Sequence, residues 1–187
     1  MESERLMSTQ DPMGIAPVMS VAQQKRILHI IWLGMISALV CYWVINLRIA
    51  ATPKTGAWPA TLPPALIVAS LVVPAVGWGF HRRTMQAVAA QIAPAVFQRL
   101  APAERLSLQH RVQASAILSL ISLETVAICG LVNSFAASPY PHLFEWLAGA
   151  SLAGLVVFRL QEYPEIFSVL DKLEVRVMGS GEPWRPR

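Results

Sequence analysis

Four long apolar stretches limit what this chain can fold into. A helix needs about 20 residues to cross a hydrocarbon core of ~30 Å, and the shortest membrane-spanning helices have about 17 residues. The stretches cover residues 27–47, 58–80, 114–135 and 142–158. In a chain of 187 residues that is 55% hydrophobic and 14% charged, this apolar surface exceeds what a soluble domain could bury. The sequence therefore predicts an all-α fold, an integral membrane four-helix bundle in which residues 1–187 form a single membrane domain.

The positions of the basic residues predict the orientation of the helices. Cytoplasmic segments of membrane proteins are enriched in Lys and Arg. Of the 15 such residues, all but Arg48 and Lys54 lie in the N-terminal tail, in the connection between the second and third stretches, or after the fourth stretch. We therefore predict that both termini are cytoplasmic. The net charge of +4 then reflects attraction to anionic headgroups, and no nucleic acid partner is expected.

The predicted cytoplasmic segments consist of a tail, residues 1–26, and two extensions with helical patterns, residues 82–110 and 161–187. The second helix should continue to about Ala93, and the third should begin near Pro102 with Glu104 in its first turn. The segment 161–187 is predicted to be an amphipathic helix that lies on the membrane or on a partner. Its apolar face comprises Ile166, Leu170, Leu173 and Val177.

Small residues predict where the membrane helices approach each other. Such residues let two helix backbones come close together in a bilayer. The first helix has Gly34 and Ala38 on one face, and the fourth has a cluster of Gly149, Ala150, Ala153 and Gly154. The fourth helix is therefore predicted to be a packing helix.

Glu124 is the one charged residue deep within an apolar stretch. An ionised carboxylate at the bilayer centre is costly, whereas a protonated one bonded to a hydroxyl or carbonyl is tolerated. Counting ~1.5 Å per residue from the centre of each stretch places Ser37, Ser70 and Ser151 near the level of Glu124. Pro74 should also free the carbonyl of Ser70 by removing an N–H. We expect a neutral Glu124 that holds the helices together by hydrogen bonds or, alternatively, serves as a proton or cation site.

Histidines and cysteines provide further candidates. His29, His81 and His110 lie near the predicted cytoplasmic ends of the first three helices, where imidazoles could bind a metal or ligate haem. Histidine is ordinary at that level, so no cofactor is expected, and a haem or quinone protein is the third alternative. Cys41 and Cys129 are expected to be free thiols, the alternative being a disulfide between the first and third helices.

No motif in the sequence supports an enzyme. A Gly-rich phosphate loop, a Cys or His pair at zinc spacing and a Ser, His and Asp set at one depth are all lacking. The arginines of the predicted cytoplasmic loop should instead contact anionic lipid headgroups or, alternatively, an acidic partner. These residues are Arg82, Arg83, Arg99, Arg105 and Arg111.

The segment LETVAICGLV, Leu123 to Val132, resembles the proton-carrying helix of rotary ATP synthase subunit c. That resemblance implies a proton or sodium site at Glu124. The polar loop is longer than in that family, and two further helices flank the hairpin. The chain more closely resembles small four-helix bacterial membrane proteins of uncharacterised function, which share this motif and a Tyr-Pro before the last helix, here in SPYPHLF. This second resemblance implies the bacterial inner membrane.

The function that we predict is structural. The chain is expected to be a non-catalytic accessory or assembly subunit of a larger membrane complex, with lipids and other membrane protein subunits or a second copy as partners. The cytoplasmic loop and the amphipathic C-terminal segment would be its contact surfaces. The alternative is a proton or sodium carrier that resembles subunit c, with Glu124 as the ion site.

Overall fold

The computed structural model describes residues 20–50, 61–93, 100–135 and 142–178. These residues form four helices, α1 (Val21–Ala50), α2 (Leu62–Ile92), α3 (Pro102–Phe135) and α4 (Leu143–Met178). Each helix is long and apolar enough to cross a membrane. The prediction of an all-α, multi-pass membrane protein built as a four-helix bundle is therefore confirmed. The SPYP sequence and Arg5, Lys54, Arg99, Arg185 and Arg187 lie outside the described residues.

The helices extend well beyond the apolar stretches. Helix α2 has proline at its first positions, continues through Pro74 and ends at Ile92, close to the predicted Ala93. Helix α3 begins at Pro102, as predicted. Its first turn is closed by Glu104, whose carboxylate accepts a hydrogen bond of 2.8 Å from the N–H of Ala101. That bond uses one of the amide groups that a helix start leaves without a partner.

Helix α3 lies at the centre of the bundle. It contacts each of the other three helices, whereas α1 and α2 do not contact one another within the described residues. Half of the most apolar part of α3 is buried (50%), against 17% in α1 and in α2. The outer faces of α1 and α2 instead expose large apolar side chains such as Val40, Leu71 and Val76. This is the distribution expected of helices that face lipid.

Neighbouring helices along the chain are antiparallel. His81 in the second half of α2 contacts Ser115 in the first half of α3, and Lys25 at the start of α1 pairs with Asp171 near the end of α4. Helices α1 and α3 therefore begin, and α2 and α4 end, at the same end of the bundle. We call it the basic end, and it is the side that the charge distribution predicts to be cytoplasmic.

The C-terminal part of α4 differs from its prediction. Helix α4 continues without interruption through Pro164 to Met178, so residues 161–178 are not a separate helix on the membrane surface. The side chains of Ile166, Leu170 and Leu173 are completely buried in the core of this chain. These three residues of the expected apolar face pack within the bundle because α1 extends equally far at the basic end, whereas the side chain of Val177 lies outside what the structure describes.

The small residues also differ in part from their prediction. Gly154 does lie at a helix contact, since a Cβ atom there would come within 2.7 Å of Cδ2 of Leu123. A Cβ atom added at Gly34 or at Gly149 would meet no described atom within 4 Å, and Ala150 and Ala153 are exposed. Most of the small-residue cluster of α4 therefore faces outwards. A tight contact between α2 and α3 involves Gly77, which packs against the side chain of Ser122, and α3 approaches α4 closely at Gly130, where a Cβ atom would come within 3.1 Å of the Cα of Phe144.

Candidate functional site

Glu124 of α3 has a partner in α1. The hydroxyl of Tyr42 donates a hydrogen bond of 2.9 Å to Oε1 of Glu124. Leu120 and Ala127, about one turn on either side of Glu124, are fully buried, whereas Glu124 and Tyr42 are half-buried. The carboxyl group therefore lies at the margin of the interface between α1 and α3, with one oxygen held by a phenol.

The predicted serines do not supply this bond, because their hydroxyls donate to main-chain carbonyls. Ser37 is exposed and bonds to Leu33 of its own helix, and Ser70 bonds to Ile67. Ser151 reaches across from α4 to the carbonyl of Leu123, at 2.9 Å. It therefore lies beside Glu124 and joins α3 to α4.

Tyr42 was not predicted as the partner of Glu124, because a comparison of Cα depths identifies only residues whose side chains are too short to reach another level. Tyr42 follows Ser37 by more than one turn, so its Cα lies well beyond the estimated level of Glu124. Side chains on a helix lean towards its N-terminus, and a tyrosine is long enough to cover that difference. The signal in the sequence was the one aromatic hydroxyl in the first apolar stretch.

A second polar cluster, also not predicted, lies near the basic end and joins three helices. His81 of α2 and Glu162 of α4 are both fully buried, with 3.4 Å between Nε2 and Oε2. Nδ1 of His81 lies 3.0 Å from Oγ of Ser115 in α3. Arg82 places Nη2 2.8 Å from Oε1 of Glu162, and its Nη1 is 3.7 Å from Oε2 of Glu165. A buried carboxylate requires such a partner.

Helices α1 and α4 are joined by two aromatic side chains. Trp32 donates from Nε1 to the carbonyl of Leu155 at 3.0 Å. The buried hydroxyl of Tyr163 donates to the carbonyl of Leu28 at 2.8 Å. Arg159 covers the Tyr163 ring, with its guanidinium carbon 4.5 Å from the ring centroid. This arrangement is a cation–π contact.

The three histidines that were candidates for a metal or haem site occupy separate environments. His29 contacts the rings of Tyr163 and Phe167, His81 belongs to the buried cluster with Glu162, and His110 is exposed on α3. Within the described residues, no group of three or more His, Cys, Asp or Glu side chains is arranged to hold a metal ion. Cys41 is exposed, Cys129 is buried, and both are free thiols.

The arginines that were predicted to form one contact surface lie in different environments. Arg82 is used inside the bundle by Glu162, and Arg105 donates from Nε to the carbonyl of Leu100. Arg83 and Arg111 are exposed at the basic end.

Polar bonds connect every pair of helices that is in contact. Tyr42 joins α1 to α3, Ser119 joins α3 to α2 through the carbonyl of Gly77, and Ser151 joins α4 to α3. The remaining two pairs are joined by the Glu162 cluster and by the aromatic side chains of α1 and α4. In a bilayer, such bonds and close packing hold helices together, because lipid supplies no hydrophobic drive between them.

We found no protein-family model, no curated protein and no solved structure that matches this chain.

Proposed function

We propose that this protein is a non-catalytic accessory or assembly subunit of a larger complex in the bacterial inner membrane, with both termini in the cytoplasm. The observation that carries the proposal is the outer face of α1 and α4. Gly149, Ala150 and Ala153 lie on that face, where nothing in the described part of the chain would lie within 4 Å of a Cβ atom at Gly149. Small residues at such positions are characteristic of contacts between membrane helices.

A groove on the same face supports a protein partner. It lies between α1 and α4, has a volume of about 300 Å³, and includes Leu39, Val40, Trp43, Ala148, Gly149 and Leu152 in its lining. Its apolar floor and small-residue edge suit the side chains of another membrane helix. The apolar face near the end of α4 is not available for this purpose, because Ile166, Leu170 and Leu173 are buried within the bundle.

In this proposal Glu124 has a structural role. It keeps its proton and bonds α1 to α3 through Tyr42, beside the bond from Ser151 to Leu123. A protonated carboxyl with a hydroxyl partner is the form that a low-dielectric environment tolerates.

The experiment is to isolate the tagged protein from its native membranes in mild detergent and to quantify the chains that accompany it. Gly149→Leu fills the outer face of α4, and Gly79→Leu is the matched control on α2, since a Cβ atom at either glycine would meet no described atom within 4 Å. We expect partner subunits with the wild type and with Gly79→Leu, and a loss of about tenfold with Gly149→Leu, as removal of one interface contact of about 1.4 kcal/mol would give. A monomer without partners, or equal recovery from both variants, would overturn the proposal.

A proton or sodium carrier is the second candidate, favoured by the partial exposure of Glu124. Tyr42 holds Oε1, and a half-buried carboxyl at mid-helix could exchange an ion with its surroundings. This role requires ion flux that depends on Glu124, whereas the structural role does not.

A further inference from the structure

A groove between α2 and α3 opens at the basic end. It has a volume of about 630 Å³, and its lining includes Phe80, Ala87, Val88, Leu108, Ala114 and Leu118. Ala87 of α2 and Ala114 of α3 both line the groove. Their small side chains leave space that larger residues would fill.

The part of this groove that is farther from the basic end is apolar, and it is exposed on the outside of the bundle. Phe80 and Leu118 lie at its inner end and expose 52% and 46% of their surface. They lie on the parts of α2 and α3 that are predicted to be within the hydrocarbon. A lipid acyl chain fits such a surface, because it can pack against these side chains by van der Waals contact within the hydrocarbon.

The outer part of the groove is polar and positively charged. Arg111 lines it together with Thr84 and Gln91. Arg111 also lines an adjoining depression on α3 that contains Ser107 and His110. Among the residues that the structure describes, Arg111 forms no ion pair, whereas Arg82 is paired with Glu162. The guanidinium of Arg111 is therefore free to bind an anion, and its side chain leans towards the basic end because α3 begins there.

We propose that this groove binds one anionic phospholipid from the leaflet at the basic end. The phosphate would accept hydrogen bonds from Arg111, as guanidinium groups bind phosphate, and one acyl chain would lie over Ala114 towards Phe80 and Leu118. Basic pockets between membrane helices bind anionic headgroups in this way. The inference does not depend on the proposed function, because it concerns a different face of the bundle.

The test is lipid binding to the purified full-length protein in a neutral detergent, followed by native mass spectrometry. Dioleoyl phosphatidylglycerol is the probe, and dioleoyl phosphatidylcholine is the neutral lipid for comparison. We expect one tightly bound phosphatidylglycerol, with an affinity that Arg111→Gln lowers about tenfold, since a hydrogen bond to a charged group is lost. Arg83→Gln removes the same charge from an exposed residue outside the groove and should change the affinity less than about twofold.

A second variant tests the apolar part of the groove independently of the charge of Arg111. Ala114→Phe fills the apolar part and keeps Arg111, so it should also lower the affinity by about tenfold or more while circular dichroism shows an intact helical fold. Equal weakening by Arg111→Gln and Arg83→Gln would show diffuse attraction and overturn the proposal. Equal binding of phosphatidylcholine, or displacement of the lipid by soluble glycerol phosphate at the same concentration, would overturn it as well.

Discussion

The bond between Tyr42 and Glu124 explains, at the scale of single residues, how an acid is accommodated in an apolar helix. A polar group removed from water is destabilising unless it is hydrogen-bonded. Here the phenol hydroxyl is 2.9 Å from the carboxyl oxygen, and each partner comes from a different helix. The bond therefore gives the phenol an acceptor and Oε1 of Glu124 a donor, and it connects α1 to the central helix α3.

Replacing Tyr42 by Phe should lower the free energy of unfolding by about 1 kcal/mol, because it removes the hydroxyl that donates to Glu124. Glu124→Gln keeps an oxygen acceptor in the same place and should remain close to the wild type. Reversible unfolding in mixed detergent micelles, followed by circular dichroism, measures both. Wild-type stability of the Tyr42→Phe protein would show that the bond contributes nothing.

Whether the interaction partner of a residue could be predicted from the sequence depends on the length of the side chains involved. The isolation of Glu124 was visible in the sequence, because hydropathy alone identifies a charge in an apolar run. Its partner was not, since residues of two helices meet according to crossing angle, rotation and side-chain reach. Glu162 was missed for the same reason. It follows the fourth apolar stretch and looks solvent-exposed in the sequence, but α2 extends alongside it with His81 and Arg82.

Helices α2 and α3 make a tight contact at Gly77. A Cβ atom added at Gly77 would come within 2.7 Å of Cβ of Ser122 and within 3.7 Å of the Cα of Ser119. The hydroxyl of Ser119 donates to the carbonyl of Gly77 at 3.1 Å, so the same site also carries a polar bond. Steric fit and hydrogen bonding thus fix the relative position of these two helices together.

Gly77→Ala should destabilise the protein by about 1–3 kcal/mol, because α2 and α3 must move apart to admit a methyl group. Gly79→Ala is the matched control in the same helix, and it has no described atom within 4 Å of the added carbon. That control should be neutral or slightly stabilising, since Ala favours a helix over Gly. The two unfolding free energies in micelles check this, and equal effects would show that Gly77 is not at a tight contact.

At the scale of elements, the number and type of the helices followed from the sequence, because each apolar stretch must satisfy its backbone within one helix. Which face of each helix packs inwards did not follow. The cluster around Gly149 faces outwards, although its composition is typical of a packing face. The apolar face at Ile166 is buried, although it resembles a surface-seeking helix. Both outcomes depend on the rotation of α4 and on its neighbours, which a single helix does not specify.

The whole molecule is a bundle around α3 in which each contacting pair of helices shares at least one polar bond. Tyr42, Ser119, Ser151 and Tyr163 each connect two helices by a hydrogen bond, and the Glu162 cluster closes the basic end. Glu124 is one member of this set, and the structural role that we propose for it requires no ion transport. The outer faces of α1 and α2 expose large apolar side chains to lipid, and the face of α1 and α4 around Gly149 remains for the partner that we propose.

The most direct test of this account is ion flux into lipid vesicles that contain the purified protein. Proton and sodium uptake under an imposed membrane potential would be measured with fluorescent indicators, for the wild type and for Glu124→Gln. If Glu124 only bonds two helices, neither protein should move ions faster than protein-free vesicles, and both should retain the helical bundle. Flux through the wild type that Glu124→Gln abolishes would contradict the account, because the carboxyl would then exchange an ion instead of only bonding two helices.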